Sequence, residues 1–353
     1  MKINNWKMAV SAVVVATLLG LGAMAAGAAE IRVLNWKGYG TDDDWAVAAF
    51  KKKTGYTVVH DYFNSEQEML TKLRTNPGAY DVVLINSSFT AKAKDEGLIS
   101  RIDTSDITNF ANLAPNMAAS PDLAPGGAVY GVAWTWGLTS FAINTRKVKP
   151  VPNSIQVLWD KKYKGRIGWR DDAVEAMQLA ALATGQNIND IKDLDAVKAK
   201  LEALMPQIKT YWSSENDWNQ FFAAGDFVMA PYWSGSAARS AAKGLPVKFI
   251  VPKEGAIGWL DGLSIPTGAK NRAAARAFIN YMIDPEFYVR WAAEGAPASA
   301  NAKAAAALPE SNINRNTLGD PAVIARVQFM RPIPDQRRKQ YLEIWQELKT
   351  NAQ

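Results

Sequence analysis

The sequence predicts an α/β protein of two lobes, each a central, mostly parallel sheet flanked by helices, with extended strands between them as a hinge. Three observations carry that expectation. Short apolar, β-branched runs alternate with amphipathic helical stretches from the first strand onward, the pattern of β-α-β units. An unusually long extended apolar run, residues 129–144, can leave one lobe and enter another, and a second, residues 258–266, reads as the return. The length also fits: 353 residues less a 29-residue leader leaves 324, against about 100–200 per domain.

The leader is read first. Lys2 and Lys7 give a positive start, residues 8–22 are nearly all apolar, and Ala26, Gly27, Ala28 and Ala29 supply the small residues that a signal peptidase reads. Cleavage is expected after Ala28 or Ala29, giving an exported, periplasmic protein. The apolar run falls short of the roughly 20 residues that span a bilayer, and no later segment reaches that length without charges. With no cysteine in the chain, an acylated tether is not expected. The formal charge of +6 falls to +4 when Lys2 and Lys7 leave. Basic runs such as 51–53 and 337–339 are interspersed with acids, so they read as solvated faces and nucleic acid is not an expected partner.

The elements follow in order. Residues 31–36 read as a strand, 43–53 as a helix with Trp45, Val47, Ala49 and Phe50 inward, and 56–61 as a second strand after the stop at Gly55. Ser65 and Glu68 form a capping box before Met69, Leu70 and Leu73, and Asn76-Pro77-Gly78 ends that helix before a strand at 80–85. After the long extended run, Pro150 and Pro152 punctuate the chain. A strand at 165–170, helices at 172–184 and 194–204, and a strand at 227–233 make the second lobe. Helices at 272–283, 285–294 and 334–348 close the chain. The expected division is residues 30–137 with 264–353 as a discontinuous first lobe, and 138–263 as the second.

Catalytic chemistry finds few candidates. The one histidine, His60, sits beside Asp61 at the end of a strand, and without cysteine there is no Cys-His pair or Cys/His metal cluster. No nucleophile elbow, phosphate loop or dinucleotide fingerprint follows a strand. No catalytic residue, metal or cofactor is therefore expected, although a hydrolase using two carboxylates stays open. Aromatic and acidic residues instead gather at strand ends, where open α/β sheets hold ligands. Trp36, Tyr39, Asn86 and Ser88 lie at such ends. Asp172 and Glu175 share a face in the first turn of a helix, Trp233 ends a strand, and Trp259 and Asp261 lie on one side of an extended segment. Singly, the acids read as caps and the tryptophans as core. Together they make a slot of π-faces with carboxylates, which suits an organic ammonium.

At these residues the chain resembles the periplasmic polyamine-binding proteins of ABC importers, the spermidine and putrescine receptors. The likeness runs from Val33-Leu34-Asn35-Trp36-Lys37-Gly38-Tyr39 through Ala79-Tyr80-Asp81-Val82-Val83, Asp171-Asp172-Ala173-Val174-Glu175 and Trp233-Ser234-Gly235-Ser236-Ala237. It continues through Trp259-Leu260-Asp261-Gly262-Leu263 to Tyr341-Leu342-Glu343-Ile344-Trp345. The resemblance implies two hinged lobes of the periplasmic-binding-protein fold that close on a small amine and deliver it to an inner-membrane ABC permease, with the receptor acting as a monomer. It also implies ligand contacts from Trp36, Tyr39, Asp172, Glu175, Trp233, Trp259 and Asp261, with Ser213 where the family has a serine near the ligand. The chain departs from the family in three places. Asn86-Ser87-Ser88 replaces a Ser-x-Tyr segment, Gly38 replaces an acidic residue, and Arg331 falls at a late neutral amide. A guanidinium at that place would repel one amine of a polyamine, or pair with a ligand carboxylate or a cleft acid. The expected ligand is thus a polyamine such as putrescine or spermidine, with a carboxylate-bearing amine held by Arg331 or Arg170, or a quaternary amine, as alternatives.

Overall fold

The computed structural model describes residues 30–352, so the expected leader lies outside the described residues. Two parallel β-α-β units open the fold. Glu30–Asn35 pairs in parallel with Thr57–Tyr62 on one side and Val82–Asn86 on the other. The helix Asp44–Thr54 between the first two strands ends where Gly55 turns left-handed at φ +81°. Ser65 starts the helix Glu66–Thr75 by accepting the Glu68 backbone N–H at 3.1 Å. The expected reciprocal bond is shifted by one residue: the Glu68 carboxylate accepts the Asn64 N–H at 2.9 Å. A helix absent from the sequence reading, Ser87–Asp95, follows Val82–Asn86 directly, with Asn86 as its cap.

The two long extended runs are observed as the strands Val132–Asn144 and Ala256–Pro266, antiparallel to each other at the centre of the sheet. The spatial order is Thr57–Tyr62, Glu30–Asn35, Val82–Asn86, Ala256–Pro266, Val132–Asn144, Met229–Trp233, Ile167–Arg170 and Ile208–Trp212. Along that order pairing is parallel at both ends and antiparallel where the two long strands meet each other and the strands Val82–Asn86 and Met229–Trp233, so the sheet is mixed and continuous. Between Asp261 and Gly262 the register slips, leaving Trp134 as the extra residue of a bulge. The Trp134 ring stacks on Trp291 with centroids 5.3 Å apart, and its indole N–H donates to the Met282 carbonyl at 3.0 Å.

The apolar core divides along these strands. One cluster gathers Ile31, Phe50, Leu84, Trp134, Leu263 and Phe278; another gathers Phe141, Trp169, Met177, Leu201, Ile257 and Trp345. The change of cluster on the return strand falls between Ile257 and Leu260, earlier than the boundary expected at 263. The last helix, Asp335–Asn351, is a correction to the sequence reading, which placed it with the first lobe. Its buried residues Tyr341, Trp345 and Leu348 pack into the second cluster beside Met177 and Leu201. Spacings of three and four put those residues on one stripe, and their partners are the helices Ala173–Ala183 and Leu194–Leu204. No helix of the described residues is long and apolar enough to cross a membrane.

Candidate functional site

One face of the sheet centre assembles most of the expected residues. Directly opposed residues in a sheet share a face, and residues two apart on a strand do so as well. Asp261 opposes Asn86 on one neighbour and Thr135 on the other; Trp259 opposes Gly137; Trp233 opposes Thr139. Asn86, Asp261, Trp259 and Trp233 therefore look out from the same side, with Thr135, Gly137 and Thr139 beneath them. Gly137 is required there. A Cβ built on it would come 2.4 Å from the Trp259 ring, so the indole lies across bare backbone.

Asp261 is the focus. It is only 6% exposed and forms no ion pair among the described residues. Tyr39 donates its hydroxyl to one carboxylate oxygen at 2.9 Å, and the Asn86 amide donates to the other at 2.9 Å. Burial pushes the carboxyl up to about 6, against the lowering effect of these two donors. Tyr39 reaches this position from a loop in which Gly38 (φ +71°) and Gly40 (φ +80°) are left-handed, and it stands edge-on to Trp134 and Trp291. Gly38, where the family carries an acid, is thus held in a backbone conformation that suits glycine. Its N–H is bonded to Asp42 at 2.9 Å. Ser88 donates its hydroxyl to the Asn86 side-chain oxygen at 2.7 Å, fixing the amide so that its nitrogen faces Asp261.

A carboxylate overlooked in the sequence adjoins Asp261. Glu66 begins the helix after Ser65, and its Oε1 accepts the Asn86 backbone N–H at 3.2 Å, while its Oε2 is enclosed without a partner. Burial, then the charge of Asp261, pushes the Glu66 carboxyl up to about 8. The sequence signal was weak, because an acid beside Ser65 reads as a helix-dipole partner.

The second acidic group lies beyond Trp233. Asp172 caps the helix Ala173–Ala183 by accepting the Glu175 N–H at 2.9 Å. Arg170 donates to Glu175 at 2.7 Å, stands 3.6 Å from Asp172, and lies over the Trp233 ring at 4.8 Å. Burial raises the Glu175 carboxyl despite Arg170, and its second oxygen is enclosed and unpartnered. Trp36 meets Phe63 edge-on at 4.4 Å and is half-buried. Two expected residues stand apart. Ser213 is exposed and donates its hydroxyl to Asp217 at 2.9 Å, serving the start of the helix Glu215–Ala224. Arg331 is exposed, with its backbone N–H on Asn189 at 2.9 Å and its charge acting on Asp122. Arg170 is already paired with two carboxylates, which leaves it poorly placed to take a ligand carboxylate as well.

The arrangement presents buried carboxylates beside indole faces, with fixed donors on their far side. It offers positive charge strong partners in a water-poor setting. His60 sits within Thr57–Tyr62 and stacks on Tyr62 at 6.2 Å, and no group of three or more His, Cys, Asp or Glu residues among the described residues could hold a metal.

A family model for bacterial extracellular solute-binding proteins matches residues 45–317. The spermidine/putrescine-binding periplasmic protein of Escherichia coli K12 is 35% identical over 275 residues, covering 76% of this chain and 77% of that one. Among solved structures, the spermidine/putrescine ABC transporter substrate-binding protein PotD of Streptococcus pneumoniae superposes with a TM-score of 0.81 at 25% identity, covering 92% of this chain and all of that one. A putative spermidine/putrescine ABC transporter from Listeria monocytogenes gives a TM-score of 0.80 at 26% identity, with 91% and 98% covered.

Proposed function

The chain belongs to the bacterial extracellular solute-binding proteins, and from that premise we propose that it is the periplasmic receptor of an ABC importer for a small polyamine such as putrescine or spermidine. The observation that carries the reading is Asp261, a buried carboxylate with two fixed donors and no cation of its own, framed on one sheet face by Trp259 and Trp233. An ammonium there gains a charge-assisted hydrogen bond of about 1.5–3 kcal/mol and ring contacts of about 0.5–2 kcal/mol each.

In this reading the two apolar clusters are the bodies of two lobes, the first built on residues 30–137 with part of the chain after 260 and the second on residues 138–257 with the last helix, and the paired long strands are the hinge. Closure excludes water and strengthens the carboxylate contacts. Trp36, Tyr39, Asn86, Asp172, Glu175, Trp233, Trp259 and Asp261 are assigned to the ligand, with Ser88 orienting Asn86. The receptor is exported by its leader, works as a monomer, performs no catalysis and hands its amine to the inner-membrane permease. The test is calorimetric titration of the exported protein with putrescine and spermidine. Saturable one-to-one binding supports the reading, and no heat or thermal stabilisation with either amine sinks it.

A further inference from the structure

The helix Asp335–Asn351 brings a cation into the site that nothing so far has assigned. Its buried stripe is Tyr341, Trp345 and Leu348, and Arg338 continues that stripe one turn earlier, at the position pointing into the protein. The Arg338 guanidinium carbon lies 4.6 Å from the centre of the Phe89 ring. Phe89 is three residues past Asn86, the cap of the helix Ser87–Asp95, so it stands one turn from the residue whose side-chain amide bonds Asp261 and whose backbone N–H bonds Glu66.

The helix is pinned at both ends. Lys92 binds Asp335 at 2.6 Å, and Lys349 binds Asp171, the neighbour of Asp172, at 2.8 Å. Arg338 is thereby held between the two acidic groups. The carboxylates whose charges act on it are Asp172 from one, Glu66 from the other, and Asp335 on its own helix. It forms no ion pair with any of them within 4.0 Å. A half-buried cation over a ring, between two acids it does not contact, occupies the kind of place that the far ammonium of a long amine would need.

Resting on the amine-receptor reading above, we infer that Arg338 sets the length and charge of the ligand: it is a built-in cation between the two acidic groups of the site, so the receptor takes a short diamine and disfavours a triamine. One amine then sits at Asp261 between the indoles. A third ammonium would meet the guanidinium, losing the acidic partners and adding like-charge repulsion.

Calorimetric Kd values for putrescine and spermidine would be measured on the wild-type protein, on Arg338→Ala, and on Arg338→Met, which keeps a stem over Phe89 without the charge. The wild type should prefer putrescine. Both variants should tighten spermidine by at least about tenfold while putrescine stays within about threefold. Arg338→Lys, which keeps the charge, should retain the wild-type preference. An unchanged spermidine-to-putrescine ratio in the two neutral variants, or a wild type that prefers spermidine, overturns the assignment. A wild type that binds neither amine overturns the receptor reading instead.

Discussion

Asp261→Asn separates binding from stability in a way that tests the site directly. The asparagine fits the existing partners: its oxygen can accept from Asn86, its new N–H can donate to the Tyr39 oxygen, and the Tyr39 proton can turn to Thr135 at 3.3 Å. What disappears is the charge. The carboxyl is held at about 6 in the folded protein against an ordinary 3.8. A group whose folded value is raised favours folding most below its unfolded value and loses that advantage as pH rises through the folded one. At pH 8 the buried, ionised Asp261 therefore opposes folding by about 3 kcal/mol, and below pH 4 by almost nothing. The asparagine variant should melt higher than the wild type at pH 8, with the gap closing towards pH 4. Loss of the charge-assisted bond should meanwhile weaken putrescine binding by about 1.5–3 kcal/mol, or about 10- to 150-fold. Calorimetric titration at pH 8 and scanning calorimetry at pH 4 and pH 8 read both effects. An unchanged Kd, or a variant less stable than the wild type at pH 8, would refute the reasoning.

Trp259→Ala and Trp36→Ala should each cost one ring contact, about 2- to 30-fold in Kd by titration, while Ser213→Ala leaves Kd within about twofold. Gly137→Ala should act without touching the ligand. Its Cβ would displace the Trp259 ring, which a Cβ would approach to 2.4 Å, so amine affinity should fall and tryptophan fluorescence should shift. Putrescine affinity should rise between pH 5.5 and 8, because Asp261 at about 6 must ionise to partner an ammonium and the coupled Glu66, at about 8, adds its charge beside it. Titrations in buffers of different ionisation enthalpy should show protons released on binding at pH 6.5. Glu66→Gln should remove part of that release and stabilise the free protein at pH 8.5 more than at pH 5, read as the change in Tm.

Much of this architecture is legible in the residues themselves. Alternating strand and helix patterns locate the opening β-α-β units, and the long apolar runs locate both strands at the sheet centre. The period of two also places Trp259 and Asp261 on one side. The residues are ambiguous where local chemistry has two uses. Ser87–Asp95 and Ser234–Ala242 are helices of small residues following strands without a loop, and serine and glycine read as turn. Glu66 reads as a helix-start acid and Arg338 as part of the solvated run 337–339; only packing buries Glu66 near the charge of Asp261 and lays Arg338 over Phe89. Ser213 and Arg331 show the opposite relation between motif and packing. Each lies beside a motif in sequence, yet its bonds serve Asp217 and Asn189. The last helix belongs with the second core because three buried residues on one stripe find their partners there, a tertiary fact that periodicity alone does not convey.

The most direct measurement of the central claim is a thermal-shift and calorimetric comparison of the exported protein with putrescine, cadaverine, spermidine, choline and γ-aminobutyrate. A ligand at 100 times its Kd adds about 2.7 kcal/mol of stability, which is readily seen. Stabilisation led by a diamine, lost on Asp261→Asn, is the predicted result. Stabilisation by carboxylate-bearing amines alone, or by none of these compounds, would contradict the account.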